Sequence, residues 1–325
     1  MTHAVQKSAA TSTLVQCIEV WDVDPQASLM RLTGHVRFRG NLMDFETPGR
    51  SVRSGEGLAG MAWHQRHAVV LQESPSELLQ QLGTRKGLDL SALVAFPVIR
   101  GHEVLSVVVL GISPGPGAFE VWSRDDRDEL SISASYYSGL KSFELISRHV
   151  RFPKGAGLPG TVWKTGRSQL ACNLNHSPGF MRSFAADETE LNTGLGLPVG
   201  SSAGNCDSVL LMLSSYAKPV ARAMEIWQPG TGHHSSVDSA VLCCTAADRI
   251  GLGGSPDSCL AMSCIPGAKD VISAAWDSGR PILTASTEPG GSSRPAADDG
   301  VSPRAFLAVP VYRSTERAAA VLMIF

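Results

Sequence analysis

The pentapeptide A-F-E-V-W at residues 118–122 has two close counterparts, C-I-E-V-W at residues 17–21 and A-M-E-I-W at residues 223–227. The other three tryptophans form a second series, in the tripeptides M-A-W, T-V-W and A-A-W that end at Trp63, Trp163 and Trp276. All 6 tryptophans of the 325 residues therefore belong to two series of three. This pattern predicts three diverged copies of one structural unit of about a hundred residues.

The intervals between these landmarks support three copies. The second tryptophan follows the first after 42, 41 and 49 residues, and the proline of F-P-V, L-P-V or V-P-V follows after another 34, 35 and 34 residues. We therefore place three modules at 14–115, 116–221 and 222–325. Because the last strand of each copy runs almost directly into the next copy, we expect the modules to be in contact.

Each copy has the same predicted order of elements. It opens with a β-hairpin, as at 119–122 and 130–137, and copies one and two continue with S-G-E-G-L-A-G-M-A-W and K-G-A-G-L-P-G-T-V-W, in which glycines permit a tight turn into a short helix. In copy three the helix lacks these glycines, and Asp270 is the expected N-cap. A third strand, a variable polar stretch and a closing hairpin follow. The predicted fold class is α+β, with a central antiparallel sheet of about five strands and short helices on one face.

The segment G-x-G-L-[AP]-G-x-[AV]-W, followed by a helix, a third strand and an x-P-V closing hairpin, resembles the GAF domain. The resemblance covers residues from about 14 to the C-terminus and implies three tandem GAF/PAS-like modules. In that family a helix-then-strand stretch covers a ligand pocket, and residues 180–200 of copy two are similar to it. Copy one has S-E-L-L-Q-Q-L-G-T-R-K-G-L there and copy three a Gly-Ser-Pro-rich stretch, so the resemblance implies a ligand site in module 2 above all.

The resemblance implies two groups of ligand-binding residues in module 2. The lid would contribute Phe180, Arg182, Phe184 and Asp187, and the strands below it Tyr136 and Cys172. An arginine beside aromatic rings suits an anionic or planar ligand. The alternative is a solvated helix face from which Phe184 turns into the core. Because side chains alternate along a strand, only one of the neighbours Tyr136 and Tyr137 can face the pocket.

Two repeated features favour a structural interpretation over a functional one. The G-x-G-x-x-G pattern at 55–60 and 155–160 matches a dinucleotide fingerprint, but no buried parallel strand precedes it and no acidic residue follows about twenty positions later. We interpret it as a tight turn before a helix. The repeated tryptophans could line a ligand cavity, but recurrence at equivalent positions favours core anchors.

Copy three contains a group of cysteines and histidines that we weighed as a metal site: His233, His234, Cys243, Cys244, Cys259 and Cys264. It lacks a C-x-x-C pair, and Cys243 and Cys244 are adjacent in a predicted strand, so their side chains point to opposite faces. We interpret them as buried thiols and predict no metal. No cysteine recurs at equivalent positions, which disfavours a cysteine-based reductase, and no other catalytic constellation was found.

Composition narrows the remaining classes of function. The chain has 28 Lys and Arg against 30 Asp and Glu with no block of one sign, so we expect neither nucleic acid nor a membrane surface as a partner. No apolar run is long enough for a membrane span, and no secretory leader is expected, so a cytoplasmic location is predicted. We predict a non-enzymatic sensory or regulatory protein that binds a small molecule or acts on a signalling protein in trans, with cofactors unknown. The alternative is a structural or interaction scaffold whose modules have lost their pockets.

Overall fold

A computed structural model describes residues 12–39, 42–45, 49–83, 88–174, 176–177, 180–183, 186, 190–202, 205–229, 242–249, 268–286 and 304–325. These residues contain seventeen strands and five helices. The first group of strands is β1 Val15–Asp24, β2 Leu29–Arg39, β3 Leu42–Phe45, β4 Ser51–Val52, β5 Val69–Leu71, β6 Ala92–Arg100 and β7 Glu103–Ile112. The second is β8 Gly117–Arg124, β9 Leu130–Ser138, β10 Gln169–Ala171, β11 Leu191–Ser202 and β12 Asn205–Ser215. The third is β13 Ala223–Pro229, β14 Leu242–Arg249, β15 Ile282–Ser286, β16 Arg304–Arg313 and β17 Glu316–Ile324. The helices are α1 Gly57–Gln65, α2 Pro75–Gln81, α3 Lys141–His149, α4 Gly157–Thr165 and α5 Ala268–Ser278.

The described strands form three antiparallel sheets, each from one continuous stretch of chain. Their strand orders are β2-β1-β7-β6-β5, β9-β8-β12-β11-β10 and β14-β13-β17-β16-β15, with the short strands β3 and β4 added to β2 of the first sheet. The three orders are equivalent, because in each sheet the opening strand pairs with the closing strand at the centre. We call the sheets 1, 2 and 3. The division of the chain into three modules of the predicted kind remains a prediction.

Both faces of each sheet are covered. One face packs against helices, and the other contributes to one apolar core shared by all three sheets, with members such as Val94, Leu210 and Val321. A strand buried on both faces carries an unbroken apolar run rather than an alternating one. The run V-L-L-M-L at 209–213 of β12 is such a run, and all five side chains are fully buried.

The three sheets close on one another around the shared core. The third strand of each sheet lies against the second strand of the next: β5 against β9, β10 against β14, and β15 against β2. Gln72 donates to the carbonyl of Ser135 at 2.6 Å between sheets 1 and 2, and Arg280 of sheet 3 donates to the carbonyl of Leu105 in sheet 1 at 2.7 Å. The consecutive stretches are in contact, and the third also contacts the first.

Each G-x-G-x-x-G segment forms a tight turn together with the first residues of the helix that follows, α1 or α4. Gly155 has a φ of 91° and its amide donates to the carbonyl of Gly160 at 2.8 Å. A Cβ atom on Gly160 would lie 2.5 Å from the carbonyl oxygen of Pro153, so only glycine fits there. Helix α4 ends at Thr165, and Gly166 adopts the left-handed conformation expected of a C-cap. The close backbone contact explains the repeated glycines without a nucleotide.

One prediction about local structure is wrong and another is confirmed. Asp270 is not the N-cap of the third copy's helix, because α5 already includes Ala268 and Asp270 lies in its first turn. The first series of tryptophans is core, since Trp21, Trp122 and Trp227 are at most 3% exposed.

Candidate functional site

Each opening strand carries a buried glutamate two residues before its tryptophan. In all three sheets the indole Nε1 donates to the Oε2 atom of this glutamate at 2.9 Å, in the pairs Glu19–Trp21, Glu120–Trp122 and Glu225–Trp227. The three glutamates are at most 2% exposed. A buried carboxylate is costly unless donors or cations compensate it. The source of this compensation differs between sheets 1 and 2.

In sheet 2 the compensating cation is Arg182, whose side chain is fully buried. Its Nη1 and Nη2 atoms donate to Oε1 and Oε2 of Glu120 at 2.5 and 2.9 Å, and Nη1 also donates to the hydroxyl of Ser147 at 2.5 Å. The hydroxyl of Tyr137 donates to Glu120 Oε1 at 2.7 Å. Burial, with the Glu120 carboxylate adding to it, raises the pKa of Tyr137 above its usual range. Glu120 therefore accepts from three side chains, one of them bidentate.

Aromatic rings surround the Arg182 guanidinium. Its carbon lies 4.6 Å from the ring centre of Phe143, 5.2 Å from that of Phe180, 5.4 Å from that of Trp122 and 5.8 Å from that of Phe152. The rings of Phe143 and Phe180 are stacked, with an interplanar angle of 9°. The side chains of the protein itself therefore occupy this space between sheet 2 and its helices.

The structure brings together only some of the residues predicted to bind a ligand. Phe180 and Arg182 meet, but Tyr136 lies on the opposite face of sheet 2, where its hydroxyl contacts that of Ser91 in sheet 1. It is Tyr137, on the helix-covered face, that reaches Glu120. Cys172 follows β10, is half-buried and lies near Tyr216. Phe184 and Asp187 lie outside the described residues.

In sheet 1 the corresponding carboxylate is compensated less completely. Arg50 forms an ion pair with Glu19 and lies 5.0 Å above the ring of Trp21, but its side chain is 33% exposed. Burial raises the pKa of Glu19 from 4.5 to about 7, against the opposing effects of Arg50 and the Trp21 hydrogen bond. A group that titrates near neutrality inside a cavity is a candidate functional group.

A cavity of about 210 Å³ lies beside this pair, between sheet 1 and the helices α1 and α2. Its lining combines Glu19, Arg50 and Gln81 with apolar side chains such as Leu58 and Leu82. Val52 also lines it and pairs with Met30, as Phe152 pairs with Leu130 in sheet 2. The smaller side chain at this equivalent position leaves room that the phenylalanine ring occupies in sheet 2.

The same face of sheet 1 carries a buried cysteine and histidine. Cys17 Sγ lies 3.5 Å from His35 Nε2, and Arg37 Nε donates to the same nitrogen at 3.1 Å. Because arginine can only donate, Nε2 is the acceptor in its contact with Arg37. No local pattern predicted this pair, since its members are 18 residues apart on two strands.

Glu19, Glu120 and Glu225 were not among the predicted site residues, although each stands in the repeated pentapeptide. The available signal was their position two residues before each tryptophan, because a strand's period of two places both side chains on one face. A charged residue on the buried face of three equivalent strands is exceptional and marks a built polar site.

Most of the cysteine and histidine group of copy three falls beyond the part of the chain that the structure describes: His233, His234, Cys259 and Cys264. The prediction of a buried thiol is wrong for Cys243, which is exposed because it points away from the face on which its neighbour Cys244 packs against the core around Trp227. Within the described residues no group of three or more potential metal ligands is found. No helix formed by these residues is long and apolar enough to cross a membrane.

Comparisons with solved structures found partial similarities. A GAF domain of A. aeolicus nlh2 in an inactive state is 19% identical over 30% of this chain and 57% of its own, with a TM-score of 0.25. The NreA protein of Staphylococcus aureus, mutated in its nitrate binding site, is 22% identical over 32% and 77%, with a TM-score of 0.25. The free methionine-R-sulfoxide reductase of Neisseria meningitidis in complex with its substrate is 19% identical over 32% and 53%, with a TM-score of 0.24.

TM-scores at this level do not establish a common fold, and the chain spans little more than half of the first of these proteins. No protein-family model matches the chain. No curated protein sequence matches it either.

Proposed function

We propose that this chain is a non-enzymatic sensory or regulatory protein of three GAF-like modules that binds a small molecule in module 1. The observation that carries the proposal is the cavity of about 210 Å³ beside the Glu19–Arg50 pair. Ligand sites typically combine an apolar lining with a few convergent polar groups, and this cavity has both. Its ligand has a small apolar body and a polar group that meets Glu19 or Arg50.

Module 1 replaces module 2 as the preferred site for a physical reason. In module 2 the guanidinium of Arg182 and the rings of Phe143 and Phe180 fill the space over Glu120, so a ligand would have to displace a bidentate ion pair. In module 1 the cation is one-third exposed and a cavity already exists. A preformed cavity avoids the cost of opening one.

A cavity-filling variant tests this assignment. Val52→Phe installs the side chain that sheet 2 has at the equivalent position, and it fills the cavity while Glu19 and Arg50 themselves are kept. In a thermal-shift screen of small molecules, we expect hits that raise the melting temperature of the wild type by mass action and have no effect on Val52→Phe. Met181→Phe, at an exposed position of the module 2 lid, is the matched control and should keep every hit. A uniformly flat screen, or hits that Val52→Phe retains, would refute binding in module 1.

The filled space in module 2 favours a second role for that module. Its buried Glu120–Arg182 pair compensates the glutamate without a ligand, which suits a structural or interaction scaffold. We propose a signalling protein in trans as the partner and the cytoplasm as the location. Retention of a partner by immobilised protein, unaffected by module 1 ligands, would support the scaffold role.

A further inference from the structure

A second cleft lies where the three sheets meet, and we call it the junction cleft. Its volume is about 200 Å³, and its walls come from the β6–β7 turn at Gly101, from β11 at Pro198, from the end of α4 and from the β16–β17 turn at Ser314. All three sheets therefore contribute to one concave surface. It is separate from the cavity beside Glu19, with which it shares no lining residue.

Direct contacts between the sheets hold the walls of the junction cleft together. The amide of Gly101 in sheet 1 donates to the carbonyl of Ser314 in sheet 3 at 2.7 Å. A Cβ atom on Gly166, at the end of α4, would lie 3.4 Å from the side chain of Arg313. Any change in the relative positions of the sheets would therefore change the shape of the junction cleft.

The charged side chains that line the junction cleft are all positive. Lys154, Lys164 and Arg313 line it, and its described lining residues include no carboxylate. Glu316 pairs with Arg313 across the β16–β17 hairpin but does not line the cleft. The Lys154 ammonium lies 5.2 Å above the ring of Trp163, which is buried and forms part of the floor. Cations collected in a concave surface attract anions and hold them by charge-assisted hydrogen bonds.

The repeats provide an internal control for these charges. Ser54 and His64 stand in sheet 1 at the positions of Lys154 and Lys164, and Asp277 stands in copy three at the position of Lys164. The turn and the helix therefore do not themselves require lysines. The lysines occur in the copy whose helix faces the hairpin turns of the other two sheets.

We propose that the junction cleft binds a small anion with at least two negative charges, of phosphate or carboxylate chemistry, and that this anion ties sheet 2 to sheet 3. Lys154 and Lys164 contact it from sheet 2, and Arg313 contacts it from sheet 3. The volume of about 200 Å³ suits an anion of the size of pyrophosphate. This site is independent of ligand binding in module 1, so neither proposal depends on the other.

Titration of the full chain with pyrophosphate tests the proposal. Calorimetry and tryptophan fluorescence are followed at constant ionic strength, with sodium chloride as the reference salt. We expect saturable binding, a change in fluorescence as Lys154 moves relative to Trp163, and weaker binding as sodium chloride is added. Each of Lys154→Met, Lys164→Met and Arg313→Met should weaken binding by at least tenfold.

Lys141→Met is the matched control, because Lys141 is an exposed lysine of α3 outside the junction cleft. It should bind pyrophosphate like the wild type, and the melting temperatures without anion identify any variant that fails to fold. Absence of saturable binding to the wild type would overturn the proposal. So would an equal loss of affinity in Lys141→Met, since binding would then reflect the overall charge of the surface.

Discussion

Sheets 1 and 2 carry the same buried Glu-x-Trp pair and use it differently. In sheet 2, Arg182 is fully buried, pairs with Glu120 through two hydrogen bonds and is enclosed by aromatic rings. In sheet 1, Arg50 is one-third exposed and a cavity remains beside Glu19. The same buried Glu-x-Trp pair therefore supports either a closed core or an open site, and the outcome depends on the side chains that reach the space above the glutamate.

The largest effect should come from removing the buried cation. Arg182→Met leaves the Glu120 carboxylate buried without its cation, and such changes cost about 3–5 kcal/mol. Arg50→Met should cost less, because Arg50 is one-third exposed and Glu19, with its pKa raised to about 7, can take up a proton when the cation is removed. Urea unfolding of both variants measures the difference. Equal losses would mean that the two ion pairs are equivalent, and the contrast between the sheets would fail.

Exchanging the side chains at the equivalent positions 52 and 152 should stabilise sheet 1 and destabilise sheet 2. Phe152→Val removes a buried ring that contacts Trp122 edge-on, with ring centres 4.8 Å apart, and should destabilise the protein by about 2–4 kcal/mol, somewhat less than a typical Phe→Ala change. Val52→Phe fills the cavity of sheet 1 and should stabilise it by about 0.5–2 kcal/mol. Thermal unfolding of the two variants and of the double variant checks both signs. Destabilisation by Val52→Phe would indicate that sheet 1 cannot accommodate the ring.

A pH dependence of the stability should belong to Glu19. Its pKa is raised from 4.5 to about 7 by burial, so the folded state binds more protons than the unfolded state between these values. Stability is therefore lost as the pH rises from about 4.5 to 7, with a slope of at most about 1.4 kcal/mol per pH unit from this group. Glu19→Gln should remove the contribution. The difference between wild-type and Glu19→Gln unfolding free energies, measured at several pH values, should change sharply in this window, and a constant difference would contradict the raised pKa.

Much of the framework was predictable from local patterns. The tryptophan and proline intervals indicated three equivalent stretches, alternation indicated the opening hairpins, and Gly166 marked the end of α4. Asp270 was misjudged because nothing local showed that the helix had already begun at Ala268. Tyr136 was preferred to Tyr137 because alternation shows that two neighbours face opposite ways without showing which face the helices cover.

Local patterns did not predict which side chains meet the buried glutamates of the candidate site. Arg182 lies 62 residues from Glu120, and Arg50 lies 31 residues from Glu19. The sequence analysis favoured a ligand beside Arg182, since an arginine among aromatic residues suits either a ligand or an internal carboxylate. Only the glutamate in the repeated pentapeptide could have suggested the internal partner.

The sequence by itself determined the number of equivalent stretches, the order of their strands and the glycine turns, because strand period and turn geometry depend on residues close together in the chain. The tertiary structure decided that the three sheets close around one core, that a cavity lies beside Glu19 in sheet 1, and that Arg182 and aromatic rings lie over Glu120 in sheet 2. These outcomes depend on the volumes and charges that distant segments bring to the same place. Neighbours in the sequence do not encode them.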